Sequence, residues 1–319
     1  MSAQETVIET AGLTKVFPTG FWRRPATVLH GLSFSVRRNE IVGFLGPNGA
    51  GKTTTIKILN GLAFPTTGTV KVFGLPVGRN TAFRRRIGFM PEQPYFYDYL
   101  TGEEFLRLCG GLCGIGGRET EARTRSILDR VGLAGAGKTA IRKYSKGMMQ
   151  RLGLAQALLH DPELVVLDEP MSGLDPMGRV EVRTLIQELR AAGKTVFFSS
   201  HIITDVEALC DRVLLVNRGR LVAEGSVDGL VGGEGLRYVE LLFSPAPPPE
   251  KLAPLGIPPE AIGHQGNLLV LKARSHEEGN AWLTAVTGLG AVLRSYQPVK
   301  RRLEDIYVER VGGEADGGR

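Results

Sequence analysis

The sequence has few cysteines and no long apolar run. Its 319 residues include only Cys109, Cys113 and Cys210, and no two of them form a C-x-x-C pair. A small, odd number of cysteines without that spacing argues against a disulfide framework and against a zinc site. No stretch of about 18 uninterrupted apolar residues is present, which is the length that a membrane-spanning helix needs. These absences predict a chain of a reducing compartment that does not cross a membrane.

The amino terminus also lacks the pattern of a secretory signal. Glu5 and Glu9 stand where such a signal has basic and then apolar residues. We therefore expect a soluble, cytoplasmic protein.

The composition is that of a folded globular chain. Hydrophobic residues make up 42% and charged residues 23%, close to globular averages, so a mainly disordered chain is excluded. The 42 glycines follow no Gly-X-Y period and are expected in loops. The net charge of +6 suits nucleic acid, anionic lipid and phosphate ligands equally, so it excludes none of them.

Three short apolar runs end in polar or glycine-rich segments. Residues 40–45 lead into a glycine-rich loop and then into a helical pattern, residues 164–167 end at Asp168, and residues 195–198 end before Ser199. A helical pattern lies between the last two runs. Strand, helix and strand in this order predict parallel strands joined by right-handed crossovers. We predict an α/β fold with a parallel core sheet.

The composition changes after about residue 230. Glycines at 232, 233 and 235 and seven prolines between residues 245 and 259 break any long element, although strand patterns recur at 237–243 and 267–271. A helical pattern closes the chain over 301–311. These features predict a small α+β domain over residues 235–319.

The first 230 residues are predicted to form the main domain. Its middle part, residues 102–161, has more helical than strand pattern. We therefore expect a helical subdomain inserted at about residues 94–160.

The segment 46–53 matches the motif G-x-x-x-x-G-K-[ST]. It lies between a predicted strand and a predicted helix, which is the context that this phosphate-binding loop requires. Backbone N–H groups and the positive end of the helix surround the phosphates, Lys52 bridges the β and γ phosphates, and the Thr53 hydroxyl reaches Mg²⁺. The predicted phosphate-contacting residues are Gly46, Pro47, Asn48, Gly49, Ala50, Gly51, Lys52, Thr53 and Thr54.

Two consecutive carboxylates follow the apolar run at 164–167. Because successive side chains on a strand alternate faces, we expect Asp168 and Glu169 to point in opposite directions and to have different roles. Asp168 is predicted to bind Mg²⁺ together with Thr53, and Glu169 to act as the base that polarises the attacking water. Taken alone, the pair could instead cap the segment that follows.

Residues 144–151, Tyr-Ser-Lys-Gly-Met-Met-Gln-Arg, resemble the signature loop, usually written L-S-G-G-Q, that defines the ABC (ATP-binding cassette) ATPases. The resemblance extends in order from Leu13 to about Gly225. It includes the phosphate loop, the acidic strand end, Gln93 as the Q-loop, residues 172–175 as the D-loop and His201 as the switch histidine. Six ordered motifs at these spacings are highly specific. They imply an ABC ATPase fold with an antiparallel β subdomain beside the parallel sheet.

The resemblance assigns roles to the weaker motifs. Two cassettes would sandwich two nucleotides head to tail, so that Ser145 and the Gly147 amide act on the γ phosphate held by the partner's loop. Gln93 would contact Mg²⁺ and the catalytic water, and His201 the γ phosphate. Asp175 would belong to the nucleotide interface and communicate across the dimer.

An aromatic ring that stacks on adenine is also implied by the resemblance. Phe17 stands at the family's position, and stacking needs only a flat π-face. Trp22 is the alternative, because the segment 18–25 lengthens the usual connection.

The signature loop departs from the family's usual pattern at Tyr144, Lys146 and Met148. Ser145 and Gly147 are retained, so we expect activity to be retained as well. The added cation at Lys146 is the change that could alter nucleotide affinity.

Two further patterns allow more than one interpretation. The basic run 84–86 lacks interleaved aromatic residues, so we interpret it as a solvated face and expect no nucleic-acid binding. Tyr95, Phe96, Tyr97 and Tyr99 follow the Q-loop closely. They could belong to the core, or they could form the surface that, in this family, meets the coupling helix of a membrane subunit.

Three classes of function compete for this chain. A P-loop phosphotransferase has no use for residues 144–151 or for the D-loop, and Glu169 favours water as the acceptor. A soluble ABC ATPase acting on DNA or ribosomes would have long coiled coils or two cassettes in one chain, and the sequence has neither. The resemblance therefore implies the ATP-binding and ATP-hydrolysing subunit of a transporter.

Four segments are similar to those of ABC-2 type exporter ATPases: residues 92–94, 100–103, 144–148 and 303–307. The alternatives are the ATPase of an importer and a soluble, non-transport ABC ATPase. The resemblance implies ATP and Mg²⁺ as cofactors, a second ABC ATPase subunit in a homodimer, and integral membrane transporter subunits. It places the chain at the cytoplasmic face of the inner (plasma) membrane.

Overall fold

The computed structural model describes residues 5–19, 24–78, 81–231, 236–300 and 302–312. The chain divides into two compact units, one within residues 1–227 and 310–319 and the other over residues 228–309.

The first unit is built on two sheets and a set of helices. Its strands are β1 (Thr6–Thr19), β2 (Arg24–Arg37), β3 (Ile41–Leu45), β4 (Thr67–Val72), β5 (Leu75–Pro76), β6 (Ile87–Met90), β7 (Leu164–Asp168), β8 (Thr195–Ser200), β9 (Arg212–Asn217) and β10 (Arg220–Ser226). Its helices are α1 (Lys52–Leu59), α2 (Gly102–Leu112), α3 (Gly117–Arg130), α4 (Lys146–Leu158), α5 (Pro176–Ala191) and α6 (Ile203–Leu209).

The larger sheet has the strand order β10-β9-β3-β8-β7-β6. Adjacent strands from β9 to β6 run parallel to each other. The edge strand β10 pairs antiparallel with β9. Every residue of β3, β7 and β8 is buried, as expected of central parallel strands that are covered on both faces. The parallel core sheet predicted from the apolar runs is confirmed. It brings the carboxyl ends of β3, β7 and β8 to one edge.

The smaller sheet is antiparallel, with the order β2-β1-β4-β5. Its apolar face shares one core with the parallel sheet, because Phe34 of β2 lies 5.8 Å from Phe44 of β3 and 6.1 Å from Phe197 of β8 between ring centroids. The antiparallel sheet implied by the family resemblance is therefore present.

Helices α2, α3 and α4 occupy the part of the chain where a helical pattern was predicted. Helix α2 begins with a capping box, in which the Thr101 hydroxyl accepts a hydrogen bond from the Glu104 N–H and the Glu104 carboxylate accepts one from the Thr101 N–H. Helix α4 begins immediately after Ser145. The signature segment is thus the amino-terminal end of a helix.

The second unit is an α+β structure. Helix α7 (Val227–Val231) leads into it, followed by β11 (Leu236–Ser244), α8 (Pro249–Leu252), β12 (Ile262–Gln265), β13 (Leu268–Ala273), α9 (His276–Thr287), β14 (Val292–Lys300) and α10 (Leu303–Tyr307). The antiparallel sheet has the order β12-β13-β11-β14, and Trp282 and Val286 of α9 lie in its core. Strands β11 and β13 and the closing helix were predicted from sequence, whereas α9 and β14 were not.

An ion-pair cluster joins distant parts of the first unit at Glu163. Its carboxylate accepts hydrogen bonds from Arg86, with Nε–Oε1 at 2.5 Å and Nη2–Oε2 at 2.9 Å, and from Arg38, with Nη1–Oε2 at 3.0 Å. The hydrogen bonds from Arg86, followed by those from Arg38, lower the pKa of Glu163 to about 2.

Replacing Glu163 with glutamine is expected to lower the free energy of unfolding at pH 7 by roughly 0.5–1 kcal/mol, since these side chains are more than a third exposed to solvent. The folded-state pKa of about 2 lies below the usual 4.5. The stabilisation is therefore complete above pH 4.5 and is lost as the pH falls towards 2. Urea unfolding of both proteins at several pH values checks this. A difference between them that grows as the pH falls would contradict it.

Candidate functional site

The phosphate loop connects β3 to α1 at the carboxyl edge of the parallel sheet. Gly51 precedes α1 with φ of +96°, and a Cβ there would lie 2.5 Å from Leu29 Cδ2. A Cβ on Gly46 would lie 2.3 Å from the Val216 carbonyl oxygen. Both positions therefore require glycine, one for its backbone conformation and both for close packing.

A cleft of about 280 Å³ opens over this loop. Eight predicted site residues line it: Pro47, Asn48, Gly49, Gly51, Lys52, Thr53, Thr54 and Glu169. Val28 and Glu92 complete the lining. Gly46 and Ala50 are buried in the loop beneath it.

Lys52 is a buried cation that lies between the phosphate loop and the predicted base, Glu169. Its ammonium donates hydrogen bonds to the carbonyl oxygens of Gly46 at 2.7 Å and Pro47 at 3.2 Å, and it lies 3.2 Å from Glu169 Oε1. Buried charges need such partners because burial removes their hydration. The contact joins the phosphate loop to the predicted base, two motifs that are 117 residues apart in the sequence (169 − 52).

Asp168 is buried at the end of β7 beside Thr53. Its Oδ1 accepts a hydrogen bond from Ser199 Oγ at 2.6 Å, and the Thr53 side chain also hydrogen-bonds to it. Burial raises the pKa of Asp168, and the hydrogen bonds from Ser199 and Thr53 oppose that rise. A carboxylate and a hydroxyl are hard oxygen donors of the kind that bind Mg²⁺ alongside phosphate oxygens, so these residues fit that ion.

The conformation of Glu169 corrects the prediction that it points away from Asp168. Strand β7 ends at Asp168, and Glu169 has φ of +50°, in the left-handed region, so the alternation of strand side chains does not extend to it. Both carboxylates turn towards the start of α1, Asp168 to Thr53 and Glu169 to Lys52. Both carboxylates therefore contact residues at the start of α1, and Glu169 also lines the cleft.

His201 contacts the same carboxylate from the end of β8. Its Nδ1 lies 2.9 Å from Glu169 Oε2, opposite the Lys52 contact on Oε1. The Glu169 carboxylate is therefore held between a lysine and a histidine. Sequence reasoning named all three residues, and the adjacency of β7 and β8 brings two of them together.

Ser199 is a site residue that the sequence prediction missed. Besides donating to Asp168, its hydroxyl accepts a hydrogen bond from the Glu169 N–H at 2.9 Å. The signal that could have found it is strand register, because Ser199 lies directly opposite Asp168 on the neighbouring strand.

The predicted signature and D-loop residues lie at helix starts. The Ser145 hydroxyl accepts a hydrogen bond from the Met148 N–H at 3.2 Å, and Asp175 Oδ1 accepts one from the Gly178 N–H at 2.8 Å. Gly147 lies beside Leu174. The exposed Lys146 side chain lies over Gly173, where a Cβ would fall 2.3 Å from Nζ. Lys146, where the sequence departs from the family's usual pattern, therefore lies against the D-loop.

Gln93 and Phe17, which are predicted to contact the bound nucleotide or its Mg²⁺, are among the predicted residues that do not line the cleft. Gln93 is exposed, and its neighbour Glu92 lines the cleft instead. Phe17 is 37% exposed, with Lys15 Nζ 4.7 Å from its ring centroid. Trp22 lies outside the described residues. The roles of Gln93 and Phe17 stay predictions.

The aromatic residues after Gln93 divide into one anchor and an exposed group. Phe96 packs edge-on against Phe105 at 5.0 Å between ring centroids. Tyr95, Tyr97 and Tyr99, here called the tyrosine patch, are 92%, 54% and 68% exposed. Of the two interpretations of this cluster, a surface fits the tyrosines and core packing fits Phe96.

The basic run 84–86 makes contacts within the chain. Arg84 donates to the Gly61 carbonyl oxygen at 2.6 Å, and Arg86 binds Glu163.

Across the ranges that the structure describes, no helix has both the length and the apolar character needed to cross a bilayer.

Comparison with known proteins gives consistent matches. A family model described as ABC transporter matches residues 29–172. An uncharacterised ABC transporter ATP-binding protein of Nostoc sp. is 49% identical over 238 residues, 74% of this chain and 71% of that protein. The bacitracin transport ATP-binding protein BcrA of Bacillus licheniformis is 43% identical over 241 residues, 75% of this chain and 76% of that protein.

A solved structure supports the same likeness in three dimensions. A dimeric ATP-binding cassette in a post-hydrolysis state, bound to ADP and Pi, matches with a TM-score of 0.64 and 25% sequence identity. The match covers 69% of this chain and 98% of that one.

Proposed function

Because this chain belongs to the ABC transporter family, as an ATP-binding and ATP-hydrolysing subunit, we propose that it powers an ABC-2 type exporter through ATP-driven association of two cassettes. The observation that carries the hydrolytic part is the Glu169 carboxylate, held between Lys52 and His201 at the wall of the phosphate-loop cleft. The exporter type is supported by the sequence similarity described above and by the relative named for bacitracin transport.

The residues of the cleft have separate roles in ATP hydrolysis. Backbone N–H groups at the start of α1, together with the Lys52 ammonium, bind the β and γ phosphates. Glu169 accepts the proton of the water that attacks the γ phosphate, and His201 orients that carboxylate and reaches the same phosphate. Thr53 and Asp168 would hold Mg²⁺, with Gln93 as a further ligand. Bound there, Mg²⁺ neutralises negative charge on the phosphates.

Completion of the site would come from a second copy of the chain. Ser145 and the Gly147 amide would contact the γ phosphate held by the partner's loop, and Asp175 would lie at the same interface. The dimeric structure of the related cassette supports this association. The start of α4 supports it as well, because N–H groups at a helix start bind anions.

The partner outside the ATPase dimer is proposed to be an integral membrane subunit at the cytoplasmic face of the membrane. The tyrosine patch supplies its docking surface, since exposed aromatic side chains are typical of the centres of protein interfaces. It lies close to Gln93 and Glu92 along the chain, so a partner seated there would adjoin the cleft.

Isolation of the tagged chain from detergent-extracted membranes tests this proposal. We expect a polytopic membrane subunit to accompany it, and replacement of Tyr95, Tyr97 and Tyr99 by serine to reduce its recovery at least about tenfold while ATP binding is unchanged. Leu112→Ser is the matched control. It removes an apolar side chain that is 80% exposed and lies outside the tyrosine patch, so the partner should still be recovered. Recovery with ribosomes or DNA instead would overturn the transporter assignment.

Truncation of the second unit tests whether ATP binding depends on the first unit alone. The residues that line the cleft all lie between positions 28 and 169. A chain that stops after residue 231 is therefore expected to bind ATP with an affinity within about twofold of the parent and to lose dimer stability or coupling to the membrane subunit. Isothermal titration measures the affinity. Complete loss of ATP binding in a truncated chain that is folded by circular dichroism would contradict the predicted boundary.

A further inference from the structure

Gln150 is a buried polar residue of α4 that the proposed mechanism does not use. Its side chain is 4% exposed. Its Nε2 donates hydrogen bonds to two consecutive backbone carbonyl oxygens, those of Glu169 at 3.3 Å and Pro170 at 3.0 Å. A buried amide with both donors aimed at backbone carbonyls restricts that backbone, because leaving either carbonyl unpaired costs free energy.

The backbone that Gln150 holds is the one that carries the proposed base. Glu169 has φ of +50°, an unfavourable conformation for a residue with a Cβ, which persists only when the surroundings enforce it. Ser199 Oγ accepts the Glu169 N–H at 2.9 Å, and Gln150 donates to the Glu169 carbonyl. The peptide groups on both sides of the Glu169 Cα are therefore held by buried side chains from β8 and α4.

This backbone conformation decides where the carboxylate points. The Cα–Cβ direction of Glu169 follows from its φ and ψ, and both oxygens make close contacts, Oε1 with Lys52 at 3.2 Å and Oε2 with His201 at 2.9 Å. A return of Glu169 to the extended conformation would redirect its Cβ and break both contacts. Gln150 itself does not line the cleft, and its two hydrogen bonds go to backbone carbonyl oxygens rather than to the carboxylate.

We propose that Gln150 is a positioning residue for ATP hydrolysis, which holds the backbone of Glu169 so that its carboxylate faces the attacking water. The inference rests on the proposed role of Glu169 as the base. It also connects two motifs within one chain. Helix α4 begins at the signature segment, so any displacement of its first turns reaches the base through Gln150.

Steady-state ATPase kinetics of the purified full chain test the proposal. Gln150→Met keeps the length and burial of the side chain and removes its donors. We expect kcat to fall at least about tenfold while KM for ATP changes less than about twofold, because misdirection of the base affects the transition state and not ground-state binding.

A matched control separates positioning from a loss of stability. Asn60 is also buried, and its Nδ2 donates to the Ile56 carbonyl oxygen at 2.8 Å, at the far end of α1. Asn60→Leu removes the same kind of hydrogen bond and should keep kcat within about twofold of the parent. Equal decreases in kcat for Gln150→Met and Asn60→Leu at equal thermal stability would overturn the proposal.

A double variant shows whether Gln150 acts through Glu169. In the Glu169→Gln background, Gln150→Met is expected to cause no further loss of the residual turnover. A full additional tenfold loss there would show that Gln150 acts by another route. A parent-like rate in Glu169→Gln alone would instead refute the proposed base, so the two failures are distinguishable.

Gln150→Asn covers the case in which the methionine variant does not fold. It retains the amide on a shorter side chain that no longer spans both carbonyls. The expected result is again a decrease in kcat, smaller than for methionine, with KM unchanged. A kcat equal to that of the parent in this variant would contradict the inference.

Discussion

The Glu169→Gln variant is expected to lose ATP turnover and to keep ATP binding. Glutamine has nearly the same shape and can still hydrogen-bond to His201, but its amide cannot accept a proton from water. General base catalysis contributes roughly 10²–10⁴-fold to rate, so a loss of that size is expected in kcat. ATP that binds and is not hydrolysed should hold two copies together. Phosphate release measures turnover, and light scattering with Mg²⁺-ATP measures the dimer.

Glu163→Gln is the matched control for this experiment. It makes the same chemical change at the ion-pair cluster with Arg38 and Arg86, directly before the amino-terminal end of β7, and Glu163 does not line the cleft. Its turnover should remain within about twofold of the parent. If Glu169→Gln hydrolyses ATP at near the parent rate, Glu169 is not the base.

The Lys52→Ala variant is expected to lose ATP binding itself. The ammonium of Lys52 is the buried cation of the cleft, and charge-assisted hydrogen bonds to phosphate are worth about 1.5–3 kcal/mol each, which corresponds to roughly a tenfold to hundredfold loss of affinity. Turnover falls with it, because the phosphates are no longer held. Isothermal titration with Mg²⁺-ATP measures the affinity directly.

Two further variants keep this result interpretable. Lys57→Ala removes an exposed lysine from the same helix and should bind ATP normally. Lys52→Met keeps most of the buried volume and removes only the charge, so it should lose affinity as alanine does. Normal ATP affinity in a folded Lys52→Met protein would rule out the assigned role.

The expected difference between Glu169→Gln, which loses turnover, and Lys52→Ala, which loses ATP binding, follows from the contacts around Glu169. The ammonium of Lys52 contacts both the loop carbonyls and Glu169, so phosphate oxygens that enter the cleft compete with the carboxylate for the same cation. Removing Lys52 therefore affects binding and also leaves the Glu169 carboxylate without one of its partners. Removing the charge of Glu169 leaves the loop contacts of Lys52 in place.

The sequence alone predicts those parts of the site whose residues lie close together in the chain, and it predicts less well those that depend on contacts between distant segments. The phosphate loop is local, because its glycines, lysine and threonine act within a single turn between one strand and one helix. It was predicted residue by residue, and most of it lines the cleft. The conformation of Glu169 is not local, and the alternation rule failed there because the strand ends one residue earlier. The roles of Gln93 and Phe17 depend on groups that the chain does not contain.

The sequence by itself determined the α/β class, the parallel core sheet and most of the residues that line the cleft, because hydrophobic periodicity and the phosphate-loop motif are properties of short segments. Only the tertiary structure decided which buried groups meet. It placed Ser199 opposite Asp168 through strand register, set Gln150 against the carbonyls after β7, and exposed the tyrosine patch while packing Phe96 against Phe105. These contacts join residues that are distant in sequence, and their pairing depends on sheet order and helix packing, which no single segment specifies.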